Sequence, residues 1–312
     1  MAEASGYDAV FVPEIEAREA FSTLTGFAAA TSSLRLGTGV VTVHSRTPTN
    51  TAMAAATVHD VSAGRCIVGL GSGAGRGAAG LRTPEGGALP GPVSVVEEYA
   101  RVVKEALEGR RVESSLFGLP GFRLGLAFGD RPPPEVWLAA LGDRMVSLAG
   151  RLADGVLLNW CTPERVASAR RTLSEAAERA GRDPSEVTVA VYARGSLGVD
   201  ESAAMDGLRA MTGLYASYPA YGRQFAAMGF PDEAGAAAAA YRAGRPADVP
   251  DALVRALTVT GGRDQALARF EAFHDAGADL VLWYPVAAGV DPLSSVRETV
   301  LAGAPRPVPS AR

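Results

Sequence analysis

The chain has 312 residues, 47% of them hydrophobic, and a formal net charge of −4 at pH 7. This length fits one large α/β domain or two ordinary ones, and the acidic balance argues against nucleic acid as the main partner. Neither a membrane span, a signal peptide nor a disulfide framework is indicated, so we expect a cytoplasmic protein whose two cysteines are reduced core thiols.

Strand-like runs of Val, Ile and Leu alternate with alanine-rich helical segments along the chain. The runs begin near Asp8, Leu34, Arg65, Glu135, Gly155, Val187 and Asp279. Such alternation predicts a parallel α/β sheet. Seven repeats and a final helix over residues 292–301 come within one strand of a (β/α)8 TIM barrel. A barrel is favoured over an open sheet because no early strand runs into a G-x-G-x-x-G turn with an acid ~20 residues further on.

Two intervals, residues 74–134 and 199–277, are too long for plain connections. The first contains a Gly/Pro-rich loop over residues 75–92, a helix, and a hairpin around residues 117–123. The second contains two or three extra helices. Insertions on the rim of a barrel usually build the substrate pocket or a lid. We therefore predict one domain over residues 1–303 with two rim insertions, followed by a frayed tail over residues 304–312.

Residues 34–73 predict the position of a ligand site. They form a strand, a helix and a second strand, and each strand ends in closely spaced glycines. Glycines at strand ends let a ligand approach the backbone. The carboxyl ends of parallel strands are where α/β barrels bind their ligands.

Several short segments, in this order and spacing, resemble one known family over most of the chain, from Gly6 to about Gly303. They are GYDAVFVP (6–13), AAATSSLRLGTG (28–39), AAAT (54–57), SAGR (62–65), GLGSG (69–73) and LAGRLADG (148–155). The chain resembles the luciferase-like flavin and deazaflavin oxidoreductases, a barrel superfamily with bacterial luciferase and coenzyme F420-dependent reductases. It looks most like an actinobacterial branch of F420-dependent oxidoreductases.

This resemblance implies that the fold is a bacterial-luciferase-like TIM barrel, and it also implies the type of reaction. We expect hydride exchange between coenzyme F420 and a small organic substrate, with an FMN-dependent monooxygenase as the alternative. Members normally begin with a strand and a helix upstream of the Gly6-Tyr-Asp segment, so the first strand and part of the first helix are expected to be lacking. A truncated or non-catalytic homologue is therefore a second alternative. By analogy we expect a homodimer.

The resemblance also implies where a cofactor binds. The family supports the ring on a bulge, often with a non-prolyl cis peptide, that matches Gly39 and Val40. Backbone N–H groups after the next strand could reach ring carbonyls or phosphate, and a helix N-terminus at residues 141–144 could bind phosphate. Each segment could instead be purely structural. The candidate cofactor-binding residues are Gly37, Thr38, Gly39, Val40, Gly71, Ser72, Gly73, Leu141, Gly142, Arg144 and Asn159.

Residues that could move protons are scarce in this sequence. Ile15 stands where many members carry a histidine, and Ala74 stands where F420 reductases often carry a glutamate. Glu14, or Glu16 nearby, could serve if burial raised its pKa, although a solvated acidic loop is equally compatible. The candidate catalytic residues are Glu14 and His44, which follows a strand end.

Other polar and aromatic residues are weaker candidates. His59 and His274 are expected to be structural, and the scattered histidines predict no metal site. Polar and aromatic residues end three strands and could line the cofactor or merely cap the core. They are Asn159, Trp160, Cys161, Tyr192, Arg194, Trp283 and Tyr284.

Overall fold

A computed structural model describes residues 1–15, 17–73 and 90–305 of the chain. The chain divides into two compact units. The N-terminal unit comprises Asp8–Leu157 and Thr172–Thr188, and the C-terminal unit comprises Met1–Tyr7, Leu158–Arg171 and Val189–Arg312. The single domain over residues 1–303 stays a prediction.

The N-terminal unit alternates strands and helices, as the sequence predicted. Its elements are β1 (Ala9–Val12), α1 (Ala20–Ala30), β2 (Arg35–Thr38), β3 (Val41–Thr42), α2 (Pro48–Val61), β4 (Cys66–Gly71), α3 (Pro92–Leu107), β5 (Val112–Ser114), β6 (Leu119–Phe122), β7 (Glu135–Ala140) and α4 (Asp143–Leu152). The strand β8 (Gly155–Leu158) and the helix α5 (Pro163–Arg179) contribute residues to both units.

The strands β1, β2, β3, β4 and β7 of this unit belong to a parallel sheet. β1 pairs with β2, and both β2 and the short β3 pair with β4, which pairs in turn with β7. Every residue of β4 is buried, as expected of a strand covered on both faces. The helix α2 begins with Pro48 at its first position, and the hydroxyl of Thr47 accepts a hydrogen bond from the amide of Asn50.

The C-terminal unit is built around the long strand β9 (Thr188–Leu197), of which it holds all but the first residue. After it come α6 (Glu201–Ala216), α7 (Pro219–Ala227), α8 (Pro231–Arg242), α9 (Asp251–Leu257), β10 (Thr258–Gly261), α10 (Arg263–Asp275), β11 (Leu280–Pro285) and α11 (Pro292–Ala302). Both β11 and β10 pair in parallel with β9, with Ala190 opposite Leu280 and Arg194 opposite Thr258.

The two long intervals contain further helices and strands, and that they are rim insertions stays a prediction. Residues 199–277 hold the helices α6, α7, α8, α9 and α10, and also the strand β10, which the sequence did not predict. The predicted hairpin is confirmed as the antiparallel pair β5–β6, although its first strand begins earlier, at Val112. Most of the predicted loop over residues 75–92, and the tail from residue 306, lie outside the described residues.

Two further expectations concern the whole chain. Among the residues described, no helix is both long and apolar enough to cross a membrane. In the same residues, β1 pairs along its length with β2 and β11 with β9. That the first strand of the fold is lacking stays a prediction.

Candidate functional site

The N-terminal unit has a break between β2 and β3 at the position where the resemblance implied a ring-supporting bulge. The peptide bond between Gly39 and Val40 is cis, as often in the family. The Gly39 amide donates to the Val12 carbonyl at 2.8 Å, and the Glu14 amide donates to the Val40 carbonyl at 3.3 Å. These two hydrogen bonds join the break to the end of β1 and to the residues that follow it. They also bring Glu14 next to the predicted bulge.

The neighbouring strand β4 approaches this break through its glycines. The Thr38 hydroxyl donates to the Gly69 carbonyl and accepts from the Gly69 amide, both at 2.8 Å. A Cβ added to Gly69 would lie 2.0 Å from the Thr38 carbonyl oxygen, and one added to Gly71 would lie 2.8 Å from Cγ2 of Val40. Either contact would force its neighbour to shift, and the Thr38 carbonyl is the less able to do so, so glycines let the backbones pack this closely.

The other predicted residues of this edge lie alongside. A Cβ added to Gly37 would meet the Phe11 ring at 2.3 Å, so this glycine serves packing against β1. Ser72 is half-buried and Gly73 is exposed, with a φ of 71° that favours glycine. The structure thus gathers Gly37, Thr38, Gly39, Val40, Gly71, Ser72 and Gly73 at the carboxyl ends of two paired strands. Their contact with a cofactor stays a prediction.

Glu14 belongs to a small ionic network. Its carboxylate accepts a hydrogen bond from the Ala20 amide at 3.1 Å and lies 3.7 Å from the Arg46 guanidinium, which also pairs with Glu19 at 2.9 Å. Burial acts to raise the pKa of Glu19, but hydrogen bonds from Ser22 and Phe21 outweigh it and hold that pKa below its usual value. Glu14 is therefore already engaged by a cation and a helix amide. Glu16 lies outside the described residues.

His44 follows β3 and is half-buried. Burial lowers the pKa of its imidazole, because desolvation disfavours the charged form. Among the residues described, no hydrogen bond to its ring is found. A neutral imidazole at this strand end can accept a proton at one nitrogen and donate one from the other.

The predicted phosphate-binding turn opens α4. Gly142 is the N-cap residue, has an extended backbone, and provides no side-chain cap for the amides of the first turn. Leu141 is half-buried, whereas Gly142, Asp143 and Arg144 are exposed. Free amides at a helix N-terminus attract anions, but the Asp143 carboxylate lies in the same turn. Phosphate binding here stays a prediction.

Asn159, the remaining cofactor candidate, lies in the C-terminal unit within a polar and aromatic cluster. Its amide oxygen accepts a hydrogen bond from Nη1 of Arg194, and its amide nitrogen donates to the Tyr221 hydroxyl at 2.8 Å. The Gln224 amide nitrogen donates to the Asn159 and Trp160 carbonyls, both at 2.7 Å. These bonds fix both the backbone and the side chain of Asn159.

Aromatic rings surround the Arg194 guanidinium. Its central carbon lies 4.5 Å from the ring centroid of Trp160, 4.8 Å from that of Tyr284, 5.2 Å from that of Tyr215 and 5.7 Å from that of Tyr192. Burial raises the pKa of the phenols of Tyr192, Tyr221 and Tyr284, so they stay protonated at neutral pH. We refer to Arg194, Asn159, Trp160, Tyr192, Tyr215, Tyr221 and Tyr284 as the Arg194 cluster.

The sequence pointed to part of this cluster. It singled out Asn159, Trp160, Tyr192, Arg194 and Tyr284 as strand-end residues, and the structure brings them together. Trp283, grouped with them, lies elsewhere, because adjacent strand residues face opposite sides. Its indole nitrogen donates to the Thr299 carbonyl at 2.9 Å. Tyr215 and Tyr221 were missed, although tyrosines at three-residue spacing over 215–221 were a usable signal.

The structural expectations for the cysteines and the other histidines hold. Cys66 and Cys161 are free and buried, and burial raises the pKa of each thiol to about 12. His59 is 1% exposed and bonds the Pro132 carbonyl at 3.0 Å, while His274 in the last turn of α10 bonds the Ala278 carbonyl at 2.9 Å. No group of side chains suited to a metal ion is found in the part of the chain that is described.

The likeness to known proteins agrees with the sequence motifs. Residues 1–280 match the model of a family described as luciferase-like monooxygenase. The chain is 33% identical over 209 residues to the 5,10-methylenetetrahydromethanopterin reductase of Methanolobus tindarius. That match covers 65% of this chain and 61% of the relative, so the chain spans about three-fifths of the relative's length.

Two solved structures have the same fold. The coenzyme F420-dependent tetrahydromethanopterin reductase of Methanopyrus kandleri matches 97% of this chain and 91% of its own, with a TM-score of 0.76 and 22% identity. A monooxygenase of Streptomyces bottropensis matches 97% of this chain and 88% of its own, with a TM-score of 0.65 and 21% identity. The predicted α/β fold of the bacterial-luciferase type is therefore confirmed. By its family match, the chain belongs to the luciferase-like monooxygenase family.

Proposed function

We propose that this protein is an oxidoreductase that exchanges a hydride between coenzyme F420 and a small organic substrate. The observation that carries the proposal is the edge formed by Thr38–Val40 and the glycines of β4, where two backbones pack closely with few projecting side chains. Such an edge suits a flat ring. The likeness to a methylenetetrahydromethanopterin reductase and to an F420-dependent structure favours F420 over FMN as the ring.

The residues of this edge fit a deazaflavin by their chemistry. When bound, the deazaflavin supplies the hydride chemistry, and the protein supplies orientation. In this proposal Gly39, Val40 and Gly71 would line the ring, and the backbone amides of Ser72 and Gly73 would donate to its oxygen atoms. The α4 turn at Leu141, Gly142 and Arg144 binds the phosphate group. Asn159 belongs to the C-terminal unit, and its contact with a cofactor stays a prediction.

His44 is the better of the two candidates for moving the substrate proton. Its lowered pKa leaves a neutral imidazole at neutral pH, which can take a proton from a substrate hydroxyl as the hydride leaves the adjacent carbon. The Glu14 carboxylate is engaged by Arg46 and by the Ala20 amide. We therefore assign Glu14 a positioning role beside the bulge.

The binding experiment separates the two cofactor classes. The purified chain is titrated with F420 and, separately, with FMN, and binding is followed by quenching of cofactor fluorescence. The proposal expects micromolar binding of F420 and much weaker binding of FMN. The reverse result would favour an FMN-dependent monooxygenase, the alternative that the family description and the Streptomyces bottropensis structure support. Binding of neither would favour a non-catalytic homologue.

A matched pair of variants ties binding to the proposed edge. Gly71→Ala places a methyl group against Val40, whereas a Cβ on Gly125 would meet nothing within 4 Å. Gly71→Ala is expected to weaken F420 binding, and Gly125→Ala to leave it unchanged. If the two variants bound F420 with equal affinity, this edge would not be the cofactor site. Homodimer formation is expected from the family alone, and sedimentation of the purified chain tests it. The cytoplasmic location stays an expectation from the sequence.

A further inference from the structure

The Arg194 guanidinium is a buried positive charge with no negative partner among the described residues. Arg194 is 3% exposed. No carboxylate forms an ion pair with it anywhere in residues 1–15, 17–73 and 90–305. An arginine side chain remains protonated in proteins, so the charge cannot be avoided by losing a proton. Buried charges are normally paired, because desolvation is costly.

The neighbours of Arg194 compensate this charge only in part. Four aromatic faces lie within 6 Å of its central carbon and attract it through their quadrupoles. Its only hydrogen bond to a described residue runs from Nη1 to the amide oxygen of Asn159, which is neutral. Nε is buried and has no acceptor in the described part of the chain. Donors of the guanidinium are therefore left for another group.

The surrounding polar groups add donors rather than negative charge. The phenols of Tyr192, Tyr221 and Tyr284 stay protonated, because burial raises their pKa. The indole nitrogen of Trp160, whose ring faces the guanidinium, is buried and lacks an acceptor among the described residues. Neutral donors around an unpaired cation favour an oxyanion.

The cluster is not fully enclosed. Arg194 and Trp160 are buried, but Asn159, Tyr192, Tyr215 and Tyr284 are each only half-buried. Part of the cluster is therefore in contact with solvent, although the guanidinium itself is buried. The planar fork of an arginine matches the oxygens of a carboxylate or a phosphate group.

We propose that Arg194 binds the oxyanion of a small-molecule ligand, a carboxylate or a phosphate group, with the aromatic rings of the cluster around it. The ligand carries its negative charge into a site made wholly by the C-terminal unit. This inference goes beyond hydride exchange and does not depend on which cofactor the protein uses.

The test uses the full chain and two simple probes, acetate and inorganic phosphate. Each is titrated at low ionic strength, and binding is followed by calorimetry and by tryptophan fluorescence, to which Trp160 contributes. Saturable binding of either probe is expected, and the stronger of the two identifies the carboxylate or the phosphate class. Absence of saturation for both, up to about 50 mM, would overturn the proposal, since millimolar binding is already weak.

Two variants assign the binding to Arg194. Arg194→Met removes the charge and keeps an unbranched side chain. Asn159→Asp supplies a permanent carboxylate to the guanidinium and so competes with any external anion. Each is expected to weaken binding of the preferred probe by at least about tenfold. If Arg194→Met does not fold, the probe binding measured for Asn159→Asp tests the proposal by itself. Unchanged binding in Asn159→Asp would overturn the proposal.

Arg269 provides the matched control in the same unit. Its guanidinium also lies over an aromatic ring, at 5.9 Å from the Phe273 centroid, but it donates to the carbonyls of Ala256 and Arg255. Arg269→Met is therefore expected to bind the probes as the natural chain does. An equal loss in Arg269→Met and Arg194→Met would show general charge attraction and overturn the assignment. The readouts need no cofactor, so failure here would leave the proposed hydride exchange standing.

Discussion

The two units offer candidate binding surfaces of different construction. In the N-terminal unit the surface is made by backbone, where the break after Thr38 meets the glycines of β4. In the C-terminal unit it is made by side chains gathered around Arg194. A backbone surface cannot change without moving the strands, so its fold and its binding should fail together. A surface of side chains can be altered one group at a time.

Gly69→Ala should be the most damaging change. The added Cβ would lie 2.0 Å from the Thr38 carbonyl oxygen, and a backbone atom in a parallel sheet cannot move aside. We expect a loss of about 3 kcal/mol or more in the free energy of unfolding, or no folded protein. Urea denaturation followed by circular dichroism measures it. The control is Gly26→Ala on the exposed face of α1, where a Cβ meets nothing and helix propensity should add about 0.5–1 kcal/mol.

Gly71→Ala should be milder. Its Cβ would meet a methyl group of Val40 at 2.8 Å, and a side chain can yield where a carbonyl cannot. We expect a loss of about 1–2 kcal/mol in the free energy of unfolding, from the same denaturation experiment. A loss as large as that of Gly69→Ala would mean that Val40 is held as rigidly as the backbone.

Asn159→Asp should stabilise the folded chain while it removes anion binding. A carboxylate at this position pairs with Arg194, and the Tyr221 hydroxyl can then donate to it. We expect a gain of about 1–2 kcal/mol in the free energy of unfolding at pH 7, typical of hydrogen bonds to charged groups. Thermal denaturation at low salt measures the gain. A loss of stability would indicate that the aromatic rings already satisfy the arginine.

The stability of the N-terminal unit should fall in mild acid. Burial lowers the pKa of both His44 and His59 in the folded chain, whereas the unfolded chain takes up protons near pH 6.5. The unfolded state thus binds more protons in that window, and stability present above about pH 6.5 is lost as the pH falls through it. Urea denaturation between pH 7.5 and 5.5 should show this decline. His44→Gln should reduce the slope, and an unchanged slope would assign the effect elsewhere.

Glu14→Gln should have the smallest effect. Glutamine can still accept from the Ala20 amide, and Arg46 keeps its closer partner Glu19. Partly exposed ion pairs contribute little, so we expect a loss of at most about 0.5 kcal/mol. Differential scanning calorimetry would measure it. A larger loss, or a large fall in kcat without a change in stability, would restore Glu14 as a catalytic candidate.

The sequence predicted the elements better than the contacts between them. Apolar runs bounded by glycine identified β1, β2, β4, β7, β8, β9 and β11, because buried parallel strands require such runs. The strand β10 was missed since four residues between two helices carry no periodicity. The Arg194 cluster was found only in part, because contacts between strand ends and the helices of an insertion depend on tertiary packing. Trp283 could have been separated from Tyr284 by strand alternation alone.

The two units also differ in how much of the chain must exist before each can assemble. The N-terminal unit is complete once residue 188 has been made. The C-terminal unit contains Met1–Tyr7, and the Tyr7 hydroxyl donates to the Val300 carbonyl in α11 at 2.7 Å, a separation of 293 residues. Contacts this distant in sequence close late and slow folding. During synthesis, residues 1–7 can therefore form their native contacts with α11 only after that helix has been made. The N-terminal unit, with its backbone-made surface, can already be folded by then.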